Sequence, residues 1–190
     1  IRIAVASGHG VGKSALISWI ILWALATFRD TRGVVTANTK NQLETKTWPE
    51  LTKWLRMSVC ADWFEITADA IYSAEPAHER TWRIDAIPWS LRNAEAFAGL
   101  HNLGKRIFVA FDEASAIPDL IWETIEGALT DRDTEILWLA TGNPTRNTGR
   151  FRECFGRFRH RWIRRQVDGR KVSFTDKQQI AGWAADYGDD

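Results

Sequence analysis

Ala6-Ser7-Gly8-His9-Gly10-Val11-Gly12-Lys13-Ser14 decides the fold. A short apolar strand, Ile3 to Ala6, precedes it, and an apolar helix opens at Lys13. Gly8, Gly10 and Gly12 let the backbone curl so that successive N–H groups point inward at a phosphate. The start of the following helix adds free N–H groups and its positive dipole end. In this arrangement Lys13 can reach the β- and γ-phosphates and the Ser14 hydroxyl can hold a magnesium ion. The pattern is the phosphate loop of an NTPase, G-x-x-x-x-G-K-[ST], with Ser7 in place of the first glycine. Ser7, Gly8, His9, Gly10, Val11, Gly12, Lys13 and Ser14 are therefore the expected nucleotide-binding residues.

Outward from the loop, strands and helices alternate. Ile1 to Ala6 reads as the first strand and Lys13 to Phe28 as the first helix. Gly33 to Ala37 reads as a β-branched second strand. Asn38 or Thr39 can cap a helix that carries Leu43, Thr47, Leu51, Trp54 and Leu55 at helical spacing, with Pro49 as a kink or restart. Ala61 to Ser73 reads as a hairpin, Thr81 to Trp89 as a strand, and Asn93 to Phe97 as a short helix or turn. Arg106 to Phe111 is a continuous apolar run, as buried parallel strands are. Pro118 to Leu129 reads as a helix, Glu135 to Ala140 as another buried strand, and Thr175 to Tyr187 as an amphipathic helix capped by Thr175 or Asp176. This alternation predicts an α/β P-loop NTPase of the RecA/ASCE-like kind, a three-layer sandwich around a mostly parallel sheet. Residues 1–190 are expected to form a single ATPase domain.

Composition sets bounds without naming a partner. Of 190 residues, 45% are hydrophobic and 26% charged, ordinary for a globular domain with a real core. The net charge of +1 leaves the overall field uninformative. The eleven tryptophans are spread along the chain, as core and interface mass would be. Cys60 and Cys154 form neither a metal pattern nor a disulfide framework. The run from Ala15 to Phe28 is too short for a confident membrane span, so no membrane is expected. The chain begins inside a strand and without a methionine, and is expected to be a fragment of a longer polypeptide.

The second chemical signal closes the apolar strand: Asp112-Glu113. A carboxylate at such a strand end, beside the phosphate loop, can hold magnesium with Ser14. The second carboxylate can orient and deprotonate an attacking water, which makes Glu113, with Lys13, the expected catalytic pair. No Asn-Lys-x-Asp guanine-reading motif is present, so ATP is the expected nucleotide and Mg²⁺ its companion. Thr141-Gly142-Asn143-Pro144 ends the next strand; it can report loss of the γ-phosphate or be an ordinary strand-ending turn. From Arg146 to Lys171 the chain holds nine arginines and one lysine against Glu153 and Asp168. Three readings stand: a solvated face, contacts to nucleic-acid phosphates, or an arginine supplied to a neighbouring subunit's ATP. His9, His78, His101 and His160 have no ligand spacing and read as structural or surface residues.

Taken in order, these motifs resemble the tailed-phage terminase large subunits. Ala6 to Ser14 is similar to their Walker A loop, in which the first glycine is often replaced. Val35 to Thr39 followed by Thr45 to Leu51 resembles the segment after their second strand. Ala98-Gly99-Leu100-His101 with Phe111 to Ser115 resembles their Walker B region, and Thr141 to Pro144 their coupling motif. The resemblance implies an ATP-driven motor that moves double-stranded DNA into a procapsid. It also implies a homo-oligomeric ring, a portal protein and a small terminase subunit as partners, and the bacterial host cytoplasm as location. It assigns phosphate contact to Lys13, magnesium to Ser14 and Asp112, water activation to Glu113, and coupling to Thr141, Gly142 and Asn143. The family's nuclease domain and adenine-contacting segment have no counterpart in this sequence, so nuclease activity is not expected from this chain. A helicase-like nucleic-acid-dependent ATPase and a nucleotide-gated binding module without turnover are the alternatives.

Overall fold

Strand β1 (Arg2–Ser7) runs into the glycine loop, and the chain leaves the loop through helix α1 (Lys13–Thr27). Strand β2 (Arg32–Thr36) follows, then one turn of helix α2 (Lys40–Gln42), a π-helical turn over Leu43–Thr47, and helix α3 (Trp48–Arg56). The Thr39 side chain accepts from the Gln42 N–H at 3.1 Å, and Pro49 sits in the first turn of α3, directly after the π-helical turn. Strands β3 (Phe64–Ile66), β4 (Ala70–Ser73) and β5 (Arg83–Ala86) come next, with a 3₁₀ segment at Leu91–Phe97. Strand β6 (Arg106–Phe111), helix α4 (Asp119–Ala128), strand β7 (Glu135–Gly142), helix α5 (Arg150–Phe155), strand β8 (Ile163–Val167) and helix α6 (Lys177–Tyr187) complete the computed structural model, which describes residues 1–187.

All eight strands form one sheet in the order β3-β4-β5-β2-β6-β7-β1-β8. Pairing is parallel from β5 through β8, and the β3–β4 hairpin adds antiparallel at the β5 edge. The period-2 alternation of β6 explains the layers. Phe108 and Ala110 pack with Val5, Val35 and Leu137 against Ile17, Ile21 and Leu25 of α1 and Leu51 and Leu55 of α3. Ile107, Val109 and Phe111 turn the other way, onto Ile121, Trp122 and Ile125 of α4 and Phe151 of α5. The three-layer α/β sandwich expected from the sequence is thus the fold.

Two expectations are corrected. The strand assigned to Thr81–Trp89 is only Arg83–Ala86, although the Ile87 and Trp89 N–H groups still bond the Val35 and Ala37 carbonyls at 2.9 and 3.2 Å. Strand β8 lies inside the arginine-rich stretch, where no strand is anticipated; its residues are all exposed, and it is held by parallel pairing of Ile3–Ser7 with Ile163–Val167. In the sheet, β7 lies between the phosphate-loop strand β1 and β6.

Arg106, the one charged residue in the buried strand β6, is only 5% exposed. Its guanidinium donates to the Ala24 carbonyl at 2.9 Å and to Thr27 Oγ1 at 2.7 Å, pairs with Glu135 at 3.0 Å, and lies between the rings of Trp23 and Phe28. Helix α1 carries no basic residue in its last turn, so Arg106 brings a cation to its C-terminal carbonyls from another strand. Both cysteines are buried and unpaired; burial pushes the Cys154 thiol up to about 12. Among the described residues no helix is long and apolar enough to cross a membrane.

Candidate functional site

The site forms at the carboxyl ends of β1, β7 and β6, where parallel strands deliver their following loops to one edge. At the end of β1 the backbone reaches φ +71° at Gly10 and +91° at Gly12, the left-handed region open to glycine at little cost. That curl turns the chain directly into α1, whose first intrahelical bond runs from the Leu16 N–H to the Gly12 carbonyl at 3.0 Å. Lys13 Nζ folds back over the loop, donating to the Gly8 carbonyl at 2.7 Å and to that of Ser7 at 3.4 Å. Ser7 itself is only 2% exposed and its hydroxyl has no partner among the described residues.

Asp112 follows β6 and is 3% exposed. Both of its oxygens are engaged: Oδ1 accepts the Glu113 N–H at 3.0 Å, and Oδ2 accepts the Thr47 hydroxyl at 2.8 Å. Burial pushes the Asp112 carboxyl above its ordinary value; the Thr47 hydrogen bond opposes this, the Glu113 charge adds to it, and the Lys13 charge opposes it. Phe111, one residue earlier, is fixed edge-on between Trp122 (4.6 Å) and Trp138 (5.3 Å), so the strand end is braced from the α4 side.

Glu113 adopts φ 52°, ψ 48°. A left-handed non-glycine residue costs about 1–2 kcal/mol, and such strain gathers where a side chain must be aimed. Directly against this turn lies Gly142, the last residue of β7. A Cβ on Gly142 would sit 3.0 Å from the Ala114 nitrogen and 3.2 Å from that of Ser115. The Thr141 hydroxyl reaches the Phe111 carbonyl at 3.5 Å, and the Ser115 and Thr145 hydroxyls lie 3.2 Å apart. On its other side the same strand end touches the phosphate loop, Asn143 Nδ2 lying 3.3 Å from His9 Nδ1. The segment expected to couple is thus wedged between the loop and the Asp-Glu turn.

Ser14 lies in the first turn of α1, and its carbonyl accepts the Ser18 hydroxyl at 2.8 Å. Thr47 is the functional candidate missed from sequence, where it counts as part of the apolar stripe of its helix. A hydroxyl on an otherwise apolar stripe is the signal that could have found it. Of the histidines, His78 pairs with Asp30 at 2.6 Å and His101 with Asp131 at 3.0 Å, while His9 belongs to the loop.

The arginine-rich stretch divides. Arg150 and Arg161 bind Glu126 of α4 together with Arg2 of β1, the Arg2 contact at 2.7 Å and the Arg161 contact at 3.0 Å. Arg150, Arg157 and Arg161 also surround the Phe158 ring at 4.6, 5.2 and 5.2 Å. These contacts hold α5 and the approach to β8 onto the sheet. Arg164 and Arg165 remain exposed on the edge strand.

No protein-family model matches the chain. Over 153 residues it is 31% identical to a probable terminase large subunit of Enterobacteria phage P7, a match covering 78% of this chain and 30% of that relative's length. Its fold is similar to the large terminase of a thermophilic bacteriophage solved in complex with ADP (TM-score 0.68, 13% identity, 98% of this chain and 44% of that one). It is also similar to the large terminase ATPase domain of Thermus phage P74-26 (TM-score 0.66, 18% identity, 99% of this chain and 84% of that one). The sequence match and the shared fold agree with the order of the motifs along the sheet: the chain belongs to the family of phage terminase large subunits.

Proposed function

We propose that this chain binds ATP with magnesium and hydrolyses it as the motor portion of a terminase large subunit. The observation that carries this reading is the wedge: Gly142 against the Glu113 turn on one side and Asn143 against His9 of the phosphate loop on the other. A site that only held a nucleotide would need the loop and a carboxylate. Here a third segment contacts both, as a device that transmits the state of the nucleotide would. The ADP complex of the thermophilic bacteriophage's large terminase, which shares the fold, supports the choice of ligand.

The residues suit a hard divalent cation. Asp112 offers buried carboxylate oxygens already oriented by two donors, and Ser14 offers a hydroxyl beside the loop. Magnesium takes one or two such protein ligands, completed by phosphate and water, and supplies charge neutralisation on the phosphates. Lys13 trades its bonds to the Gly8 and Ser7 carbonyls for phosphate oxygens. Glu113, held in a left-handed backbone conformation directly after Asp112, accepts a proton from the attacking water. Asn143 and Thr141 sense departure of the γ-phosphate through the shared wedge.

In the whole protein this cycle drives translocation of double-stranded DNA into a procapsid. The working assembly is a homo-oligomeric ring on a portal protein with a small terminase subunit, in the host cytoplasm. Residues 1–190 act as its single ATPase domain. The test is steady-state phosphate release by wild type and by Glu113→Gln. General-base loss lowers turnover by about 10²–10⁴-fold, while binding of a fluorescent ATP analogue persists. Equal turnover in the two proteins overturns the assignment.

A further inference from the structure

The connection between β2 and α3 contains the one π-helical turn among the described residues, Leu43–Thr47, closed by the Trp48 N–H bonding back to the Leu43 carbonyl. π-turns are costly and gather at functional positions. Each residue of a regular helix advances about 100° around the axis, so the wider turn re-aims the residue that ends it. That residue is Thr47, wholly buried, and its hydroxyl donates to Asp112 Oδ2 at 2.8 Å across 65 residues of sequence.

The neighbouring threonines show what such a hydroxyl does by default. Thr45 Oγ1 donates to the Asn41 carbonyl at 2.7 Å, and Thr52 Oγ1 to the Trp48 carbonyl at 2.9 Å, each satisfied within its own helix four residues back. Thr47 departs from that habit and spends its donor on the buried carboxylate. The backbone alone does not fix that carboxylate's orientation: the Asp112 N–H bonds the Thr36 carbonyl at 2.9 Å, while the side chain depends on the Glu113 amide and on Thr47. Outer partners of ligating carboxylates set ligand orientation and contribute to metal affinity.

We propose that Thr47 is a positioning residue for the magnesium-binding carboxylate, delivered by the π-turn. The inference rests on the reading of the site as a magnesium-nucleotide site. The Thr47 hydroxyl holds Asp112 Oδ2 so that its free lone pair faces the metal position, and the β2–α3 connection thereby becomes part of the site.

The experiment measures binding of a fluorescent ATP analogue to the wild type, Thr47→Val and Thr47→Ser, each in excess magnesium and in EDTA. Thr47→Val, which keeps the shape and removes the donor, is expected to lose roughly tenfold of the affinity that magnesium adds, with affinity in EDTA held within about twofold. Thr47→Ser, which keeps the donor and removes a methyl, retains the full magnesium gain. An unchanged magnesium gain in Thr47→Val overturns the proposal, as does an equal loss with and without magnesium, which would mark a purely structural residue. Loss of the gain in Thr47→Ser overturns it independently of how Thr47→Val folds. Wild type that binds no nucleotide in either condition overturns the reading of the site itself, and this inference with it.

Discussion

Asn143 Nδ2 lies 3.3 Å from His9 Nδ1, joining the end of β7 to the phosphate loop. Because β7 separates β1 from β6, this strand end touches the loop on one side and the turn after Asp112-Glu113 on the other. Asn143→Ala is expected to keep nucleotide affinity within about threefold, since one neutral hydrogen bond is at stake. Its turnover falls and the response of residues 112–116 to a nonhydrolysable ATP analogue is lost. Hydrogen exchange over those amides, with and without the analogue, reads the second effect; an unaltered response refutes the coupling role.

Gly142→Ala tests the other side of the wedge. The added methyl meets backbone nitrogens at 3.0 and 3.2 Å, atoms that cannot rotate away, so the left-handed Glu113 turn must shift. A 1 Å misplacement of a catalytic group can cost about 10²-fold in rate. Turnover is expected to drop by that order while nucleotide binding persists, and steady-state kinetics beside equilibrium binding separates the two.

The Glu126 cluster predicts a pH dependence of stability. Burial by itself would raise the Glu126 carboxyl, but the Arg2 hydrogen bond and the charges of Arg2 and Arg150 hold it below its ordinary value. A depressed carboxylate stabilises the fold above its unfolded pKa and loses that contribution as pH falls through its folded pKa. Glu126→Gln is therefore expected to unfold at lower temperature than wild type near neutral pH, with the gap closing as acid titrates the native carboxylate. Thermal melts across pH check this, and a gap that widens in acid contradicts it.

For the basic stretch, anchored and exposed arginines should behave differently. If the stretch meets DNA phosphates, affinity falls steeply with salt, and replacing exposed Arg164 or Arg165 reduces the logarithmic salt slope by about 1 each. Replacing Arg150, tied to Glu126 and Phe158, lowers thermal stability instead. Titrations of duplex DNA at several salt concentrations measure the slopes; a flat salt response assigns the exposed arginines to solvent or to a subunit contact.

Much of the architecture was legible locally. The Gly8-Gly10-Gly12-Lys13-Ser14 spacing, the apolar run Arg106–Phe111 and the alternation of strand and helix each reflect constraints acting within a few residues. Edge strand β8 was not legible, because Ile163-Arg164-Arg165-Gln166-Val167 lacks an apolar face and is held by main-chain pairing with β1. Nor was the division of the arginines, since Arg150 and Arg161 find their carboxylate on α4 and a further arginine on β1.

By itself the sequence determined the class of fold, the phosphate loop and the strand that ends in two carboxylates. These follow from local periodicity and from the backbone freedom of glycine. Tertiary structure alone decided that β7 lies between the two motif strands, that Gly142 and Asn143 bridge them, and that Thr47 turns from its helix to Asp112. The physical reason is that strand order and long-range hydrogen bonds come from packing two helical layers on a single sheet. No local pattern encodes which distant partner a buried hydroxyl will meet.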